Sequence, residues 1–346
     1  MEIANLPLGE TDKQNWPWRK LSEPDHNPNC EVSAWPRITI ITPSYNQGQF
    51  LEETIRSVLL QGYPNLEYMV IDGGSTDNSV EIIKKYAPWI DYWVSEPDRG
   101  QAHAINKGFA RCTGDIVGWI NSDDLLLPGA LAMVADGYRK NPGSVILGDV
   151  INFVDGTNKK KLIRQKNVSF NALVTITNSR QSTWHQPGTF VPVTLFKPQN
   201  ILLDESFRYY FDMDWMCRIL RNAQVVYLHQ PVAMFREHPN SKTIGERTKW
   251  LPETEIVVKR YWNEVPGLNK NKVDAFLDLS RSAILLGKAT WDRPAGYEYI
   301  NKALKLYPQY AFSPLCIELL LRCLLPRQFL LWLRARLADL NIRFVN

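Results

Sequence analysis

Between residues 38 and 120 four short apolar runs alternate with three segments of helical spacing, an order that few folds accommodate. The runs are Ile38–Thr42, Leu66–Ile71, Tyr92–Ser95 and Ile116–Ile120. Between them lie Phe50–Leu60, with Leu51, Ile55, Val58 and Leu59 on one face, then Ser79–Tyr86 and Ala104–Ala110. Pro43, Gly62, Pro64 and Gly114 punctuate the connections. A β-α-β-α-β-α-β order with short links predicts an α/β fold with a doubly wound, mainly parallel sheet. In such a sheet the carboxyl ends of the strands gather along one edge, where ligands bind. The polar stretches at those ends are Thr42 to Asn46, Asp72 to Asp77, Glu96 to Gly100 and Asn121 to Asp124. Topology alone brings these four loops together.

The last of them, within Gly114 to Pro128, carries the adjacent carboxylates Asp123 and Asp124. Such a pair repels itself unless a cation or hydrogen-bond donors compensate, so it is either solvated or holds a metal. A helix is expected directly after it, with Pro128 in the first turn. Beyond Arg139 the pattern weakens. Val145–Leu147 and Val150–Val154 read as strands, the Lys159–Lys161 run as a solvated hairpin edge, and Asp212–Leu220 as a helix. From Trp250 onward the chain is helical. Three regions result: an irregular arm over 1–36, with Trp16, Trp18 and Trp35 as candidate pins, an α/β domain over 37–245, and a helical extension over 246–346.

Composition narrows the function classes. A net charge of +4 on 346 residues is too small to point to nucleic acid. The five cysteines lack paired metal-ligand spacing and read as reduced thiols. There is no basic n-region followed by an apolar run, and no apolar stretch of about 20 residues, so a cytoplasmic protein is expected. Within 315–340, leucines, Phe329 and Trp332 interleave with Arg322, Arg327, Arg334 and Arg336. That pattern fits peripheral contact with the inner face of a membrane or packing on the catalytic domain, packing being the commoner outcome.

The ordered series ITIITPSYNQGQFLEETIRSVLLQ, VIDGGSTDNS, EPDRGQAHAINKGFARCTGD, GWINSDD and FDMDWMCRIL resembles the family 2 glycosyltransferases of GT-A fold, over about Arg37 to Ser241. The resemblance implies a nucleotide-sugar donor, usually a UDP-sugar, and a divalent cation, Mn²⁺ or Mg²⁺. It further implies inverting transfer to the hydroxyl of a saccharide or lipid-linked saccharide, in cell-surface polysaccharide or glycolipid assembly. It places Thr42, Pro43 and Tyr45 against uracil and has Asp72 accept the imide N–H. Arg99 reaches the nucleotide or diphosphate, Asn121 a ribose hydroxyl, and Asp123 with Asp124 the cation. Asp212 becomes the base that deprotonates the acceptor, with Asp214 as runner-up. His185 lines the acceptor side, and Arg236 and His238 lie on a segment that folds over the diphosphate.

Each residue also has a plainer use. Asp72 can cap a turn and Asp77 a helix. Arg99 can pair with Asp98, Asp212 can answer a helix macrodipole, and His185 or His238 can be an ordinary packed or loop histidine. Two positions depart from the family pattern: Asn121 stands where an Asp is usual and Phe211 where a Glu is usual. The processive branch is disfavoured, because its transmembrane helices and Gln-x-x-Arg-Trp segment are missing. A nucleotidyltransferase would need a Gly-rich basic loop after the first strand, which 42–46 is not. A binding scaffold that has lost catalysis is the non-enzymatic alternative.

Overall fold

The four β-branched runs become the parallel half of a nine-stranded sheet in a computed structural model of the chain. It describes residues 6–7, 16–18, 35–175, 182–246, 249–287, 291–326 and 328–329. In order come β1 (Ile38–Ser44), α1 (Gly48–Leu59), β2 (Leu66–Asp72), α2 (Ser79–Tyr86), β3 (Tyr92–Ser95), α3 (Gln101–Arg111) and β4 (Ile116–Trp119). Then follow β5 (Leu125–Leu126), α4 (Ala130–Lys140), β6 (Val145–Val154), β7 (Lys160–Ile163), α5 (Phe170–Thr175), β8 (Thr189–Pro192), α6 (Phe211–Ile219), β9 (Val225–Glu237) and α7 (Lys242–Gly245). The sheet order is β3-β2-β1-β4-β8-β6-β9-β5, with β7 beside β6.

β1 to β4 are mutually parallel, and their register sets Ser44 opposite Asp72 and Asp72 opposite Ser95. Their near-continuous apolar runs follow from burial on both faces. Ile38, Ile40 and Val70 pack there with Leu51, Ile55 and Val58 of α1. β8 runs antiparallel to both β4 and β6, which turns the sheet from parallel to mixed at that point. The architecture is the expected α/β one with a mainly parallel, doubly wound half.

Several local expectations change. β1 continues through Pro43 to Ser44. Pro128 lies before α4, which starts at Ala130 behind a left-handed Gly129 (φ 75°). The two strands expected over 145–154 are one strand, β6, whose pairing with β9 shifts register around Gly148. A Cβ on Gly148 would come within 2.4 Å of the Val232 side chain, so glycine lets β9 approach there. β9 itself was hidden by Pro231 and by His229, whose φ is 54°. Both residues interrupt the alternation by which a strand is recognised.

The described arm residues bind α1 and β5. Trp16 Nε1 donates to the Leu126 carbonyl (2.8 Å) and Trp18 Nε1 to Glu53 (3.0 Å). Arg56, buried in α1, donates to the carbonyls of Pro7 and Pro17. Trp35 packs edge-on against Tyr63 at 5.6 Å. Residues 1–5, 8–15 and 19–34 of the arm lie outside the described ones.

Contacts divide the chain into one unit of residues 1–173 and 179–245 and a second of 174–178 and 246–346. The second unit contains α8 (Trp250–Tyr261), α9 (Lys270–Leu285), α10 (Arg293–Leu306) and α11 (Pro314–Leu324). Asn269, Asp292 and Ser313 cap α9, α10 and α11 by accepting backbone N–H groups three residues on. Leu279, Leu286, Ile300, Ala303, Cys316 and Leu319 form its core. Phe312, Ile317 and Leu324 are exposed. Of the 315–340 segment, Arg327 and the part from 330 onward lie outside the described residues. No described helix is long and apolar enough to cross a membrane.

At the amino ends of the strands, away from the loop edge, Glu67 accepts from Thr39 Oγ1 (2.5 Å), Thr113 N (2.8 Å), Thr113 Oγ1 (2.6 Å) and Arg37 (3.2 Å). Burial pushes its carboxyl up, but the Thr113 and Thr39 bonds and the Arg37 charge outweigh this and hold it below the usual value. A depressed carboxyl stabilises the fold above its unfolded pKa, and that stabilisation disappears as pH falls through the folded value. Glu67→Gln should therefore cost about 1.5–3 kcal/mol of unfolding free energy at neutral pH. The gap to wild type should narrow below about pH 4 in denaturant titrations. A gap constant from neutral to acid pH would contradict this.

Candidate functional site

The three upstream loops are bound to one another before any ligand is considered. The Asn46 side chain accepts from Thr76 N (2.8 Å) while Asn46 N donates to Ser75 Oγ (2.8 Å). Asn46 itself is left-handed (φ 51°), a conformation that Asn tolerates. Asp77 accepts from Gly48 N (2.9 Å) and Ser79 N (3.0 Å), so it serves the starts of both α1 and α2. A Cβ on Gly73 would lie 2.6 Å from an Asp98 oxygen, so the loop after β2 rests on the loop after β3.

Asp72 sits at the centre of this arrangement and is fully buried. Its oxygens accept from Gly74 N (3.1 Å), Ser75 N (2.9 Å), Ser75 Oγ (2.5 Å) and Ser95 Oγ (2.7 Å). The carboxylate thus organises its own turn. Thr42 is buried with its hydroxyl 3.1 Å from the Tyr68 hydroxyl, and Pro43 is buried beside it. Tyr45 is 59% exposed, an apolar ring left in solvent at the rim.

At the end of β4 the two carboxylates part company. Asp123 meets His238, whose Nε2 lies 3.1 Å from Asp123 Oδ2. The Asp123 side chain is 19% exposed and that of His238 4%. Phe50 packs on the imidazole at 4.7 Å. Asp124 is fully buried, with Oδ1 accepting from Arg236 N (2.9 Å) and Oδ2 from Asn121 Nδ2 (3.2 Å). Burial, and then the Asp123 charge, push the Asp124 carboxyl well above the usual range. The pair therefore does not present four oxygens to one point. Among the described residues no group of three or more His, Cys, Asp or Glu is placed to hold a metal.

Arg236, expected near the diphosphate, is turned inward. Its Nε donates to the Asp123 carbonyl (2.9 Å), and its two terminal nitrogens pair with Glu53 of α1 and with Asp155. The guanidinium lies between the rings of Phe50 (4.5 Å) and Phe153 (4.7 Å). A polar face of α1 completes the support. Thr54 Oγ1 donates to the Asp124 carbonyl (2.8 Å), and Ser57 Oγ accepts from Leu126 N (3.1 Å). Gln61 donates to Leu127 O (2.9 Å) and accepts from Leu131 N (3.3 Å). Sequence reasoning missed these residues. The spacing of Thr54 and Ser57 on a helix whose other buried residues are mostly apolar, with Gln61 just past its end, was the signal available.

A second set of bonds crosses the edge. Asn121 Oδ1 accepts from Gln101 Nε2 (2.7 Å), and Gln101 Oε1 accepts from Lys242 Nζ (3.0 Å). Arg99 pairs with Glu205 (2.6 Å), not with Asp98, and its side chain is 68% exposed. Glu205 also accepts from Asn106 (3.1 Å), which in turn binds both Leu203 N and Leu203 O. Gln101, Glu205 and Lys242 carried no sequence signal, because their partners lie about 20 to 140 residues away.

α6 is fixed by Trp215, fully buried against Phe109 (5.2 Å), Trp119 (5.5 Å) and Phe196 (5.6 Å). Asp212 stands in the first turn of α6 and accepts from Met213 N (2.7 Å). Asp214 is buried and paired with Arg218 (2.7 Å) one turn on. Phe211, in place of the usual Glu, is buried in the core. His185 is 2.9 Å from Asn152 Oδ1 and packs on Phe235 at 4.8 Å. Burial pushes its imidazole down to about 4, so it is neutral at neutral pH.

Comparison with known proteins follows the same geography. Residues 39–198 match the model of the glycosyl transferase family 2 domain. An uncharacterized glycosyltransferase of Rickettsia typhi is 28% identical over 234 residues, covering 64% of this chain and 70% of that protein. An uncharacterized glycosyltransferase of Mycobacterium tuberculosis is 40% identical over 120 residues, covering 34% of this chain; the match spans only 46% of that protein's length. A solved structure of S. aureus TarS in complex with UDP has 18% identity and a TM-score of 0.57, covering 83% of this chain and 86% of that one. At that identity the likeness is one of fold. Residues 39–198 are a glycosyl transferase family 2 domain.

Proposed function

We propose that the chain is an inverting, non-processive, metal-dependent transferase that moves a sugar from a UDP-sugar to the hydroxyl of a saccharide or lipid-linked saccharide. The observation that carries this is the Asp123–His238 pair, 3.1 Å apart at the carboxyl end of β4, beside the joined loops of β1, β2 and β3. A carboxylate and an imidazole suit Mn²⁺ or Mg²⁺ with phosphate oxygens completing the shell. Solved structures of S. aureus TarS hold UDP and, in another crystal, UDP-GlcNAc, which favours a uridine donor on this fold. A Bacillus subtilis relative, 38% identical over 98 residues, is a putative teichuronic acid biosynthesis glycosyltransferase, which favours a cell-surface polymer as acceptor.

In this reading the base edge of the nucleotide rests on Pro43, Tyr45 and the turn that Asp72 organises. Asn121 faces the ribose. Asp123 and His238 are the protein ligands of the cation. Asp124, spent on Arg236 N and Asn121, orients that loop instead of binding the ion. The cation, when bound, neutralises charge on the leaving diphosphate. Asp212 takes the proton of the attacking hydroxyl, because Asp214 is consumed by Arg218. His185 is neutral and paired with Asn152, and it lines the acceptor side without moving a proton. Arg99 stays at the rim on Glu205, and Arg236 acts as a support.

If the acceptor is lipid-linked, exposed Phe312, Ile317 and Leu324 provide peripheral contact with a membrane. Anionic liposomes should then sediment the wild type and leave the double variant Ile317→Glu, Leu324→Glu in solution. Equal sedimentation would remove this element of the reading.

Turnover is tested by UDP release from UDP-sugars. Asp212→Asn should lower it by about 10²–10⁴-fold while UDP affinity persists. Asp123→Asn should weaken UDP binding only in the presence of Mn²⁺. An Asp212→Asn enzyme with wild-type turnover would refute the assignment of the base. A wild type that binds UDP with Mn²⁺ but turns over no donor would instead be the binding scaffold.

A further inference from the structure

The charges of the chain are not evenly spread. None of the 36 Asp and Glu falls within residues 156–203, whereas seven of the 40 Lys and Arg do. The rest of the sequence is therefore net −3, and the overall +4 comes from this stretch alone. Five of the seven lie within eight residues, on β7 and beside it: Lys159, Lys160, Lys161, Arg164 and Lys166. All five are exposed, and among the described residues none of them has an ion-pair partner. The acids of the adjoining strands and turn are engaged elsewhere. Asp155 pairs with Arg236, Glu237 accepts from Asn152 Nδ2 (2.9 Å), and Asp149 accepts from Gln165 N (2.9 Å).

Guarding an open strand edge takes a lysine or two. It accounts neither for an acid-free stretch of this length nor for where the edge leads. β7 pairs with β6, and the register sets Lys161 opposite Asn152. Opposed residues of an antiparallel pair project to the same face. On that face Asn152 Oδ1 lies 2.9 Å from His185 Nε2, the histidine assigned above to the acceptor side. Gln165, just past β7, closes the connection: its Nε2 donates to the Gly148 carbonyl (2.6 Å) and its Oε1 accepts from His185 N (3.0 Å). The basic edge and the acceptor side are thus joined by hydrogen bonds.

We propose that the β7 edge is a binding surface for an anionic glycan, the acceptor chain. Its carboxylate or phosphodiester groups meet the five cations while its reacting hydroxyl lies on the His185 side. The inference rests on the transfer to a saccharide hydroxyl read above and deepens it by giving the acceptor a charge.

Two features favour a glycan over a lipid surface. An element that lies on a membrane sets apolar side chains deep on one face below its basic ones. β7 has one exposed large apolar side chain, Leu162 at 43%, and strand alternation turns it to the face opposite Lys161. β7 also has no second neighbour among the described residues, so its outer edge leaves main-chain N–H and C=O groups for sugar hydroxyls. A single exposed ion pair contributes little. Five cations in one row therefore suit a chain that carries repeated charges rather than one small anion.

Fluorescence anisotropy with the full chain and no nucleotide tests this, using hexagalacturonate, its fully methyl-esterified neutral form and a glycerol phosphate hexamer. Wild type should bind at least one of the two anionic oligomers about tenfold or more tighter than the neutral one, and added salt should erase the difference. The preferred oligomer tells carboxylate from phosphodiester. Lys159→Gln, Lys160→Gln, Lys161→Gln and Arg164→Gln combined should lose about tenfold in that affinity, with UDP affinity and circular dichroism as in wild type. Removing four charges elsewhere, by Lys84→Gln, Lys140→Gln, Lys270→Gln and Lys305→Gln, should leave it within about twofold. Equal affinity for charged and neutral hexamers, or equal losses in the two variants, would overturn the inference. So would sedimentation with phosphatidylglycerol vesicles that depends on the β7 residues in a protein that binds neither anionic oligomer. Binding of UDP without binding of either oligomer would overturn this inference alone. Oligomer binding through β7 by a protein that never binds UDP would overturn the donor-site reading and leave the glycan surface standing.

Discussion

The site depends on one buried guanidinium. Arg236 pairs with Glu53 and Asp155, donates to the main chain of Asp123 and is enclosed by Phe50 and Phe153. Its own backbone N–H binds Asp124. A buried cation is tolerated only when its donors are matched, and here every matched partner belongs to a different element. α1, the end of β4, the β6–β7 turn and β9 meet at this single side chain. Removing it would take the guanidinium from Glu53 and leave the Asp123 carbonyl without this donor, at the place where the loop must hold its shape.

Around that centre the carboxylates take different tasks because their surroundings differ. Asp72 and Asp124 are buried and saturated by internal donors, so they shape loops. Asp123 keeps partial exposure and a histidine partner, and it is the carboxylate that the proposed function assigns to the cation. Asp214 is paired with Arg218 within its helix, whereas Asp212 stands two residues nearer the helix start. Of five carboxylates alike as letters, burial and pairing sort Asp72 and Asp124 into support at the loop edge and Asp214 into an ion pair, and the proposed function rests on Asp123 and Asp212.

The parallel half of the sheet was legible because each strand there is buried on both faces and reads as an uninterrupted apolar run. β9 was not, since Pro231 and the left-handed His229 break its pattern while parallel pairing with β6 still holds it. The loop residues were legible as a group, through the topology that gathers strand ends. Their individual roles were less so. Asp72 and Arg236 take partners that lie in other loops, and no local pattern announces that Arg236 will be spent on Glu53, 183 residues away in the chain. The Asn at 121 looked like a loss of charge. Beside a buried Asp124 it is a donor in the right place.

In the proposed function Asp123, supported by Arg236 and paired with His238, would be the protein's carboxylate on the cation that serves the donor diphosphate. Anomalous diffraction from crystals grown with Mn²⁺ and UDP tests it most directly. One manganese peak is expected at ligating distance, about 2.0–2.6 Å, from an Asp123 oxygen and from diphosphate oxygens, with uracil against Tyr45 and Pro43. A peak held by Asp124 in place of Asp123, or a nucleotide bound away from the ends of β1, β2 and β4, would contradict it.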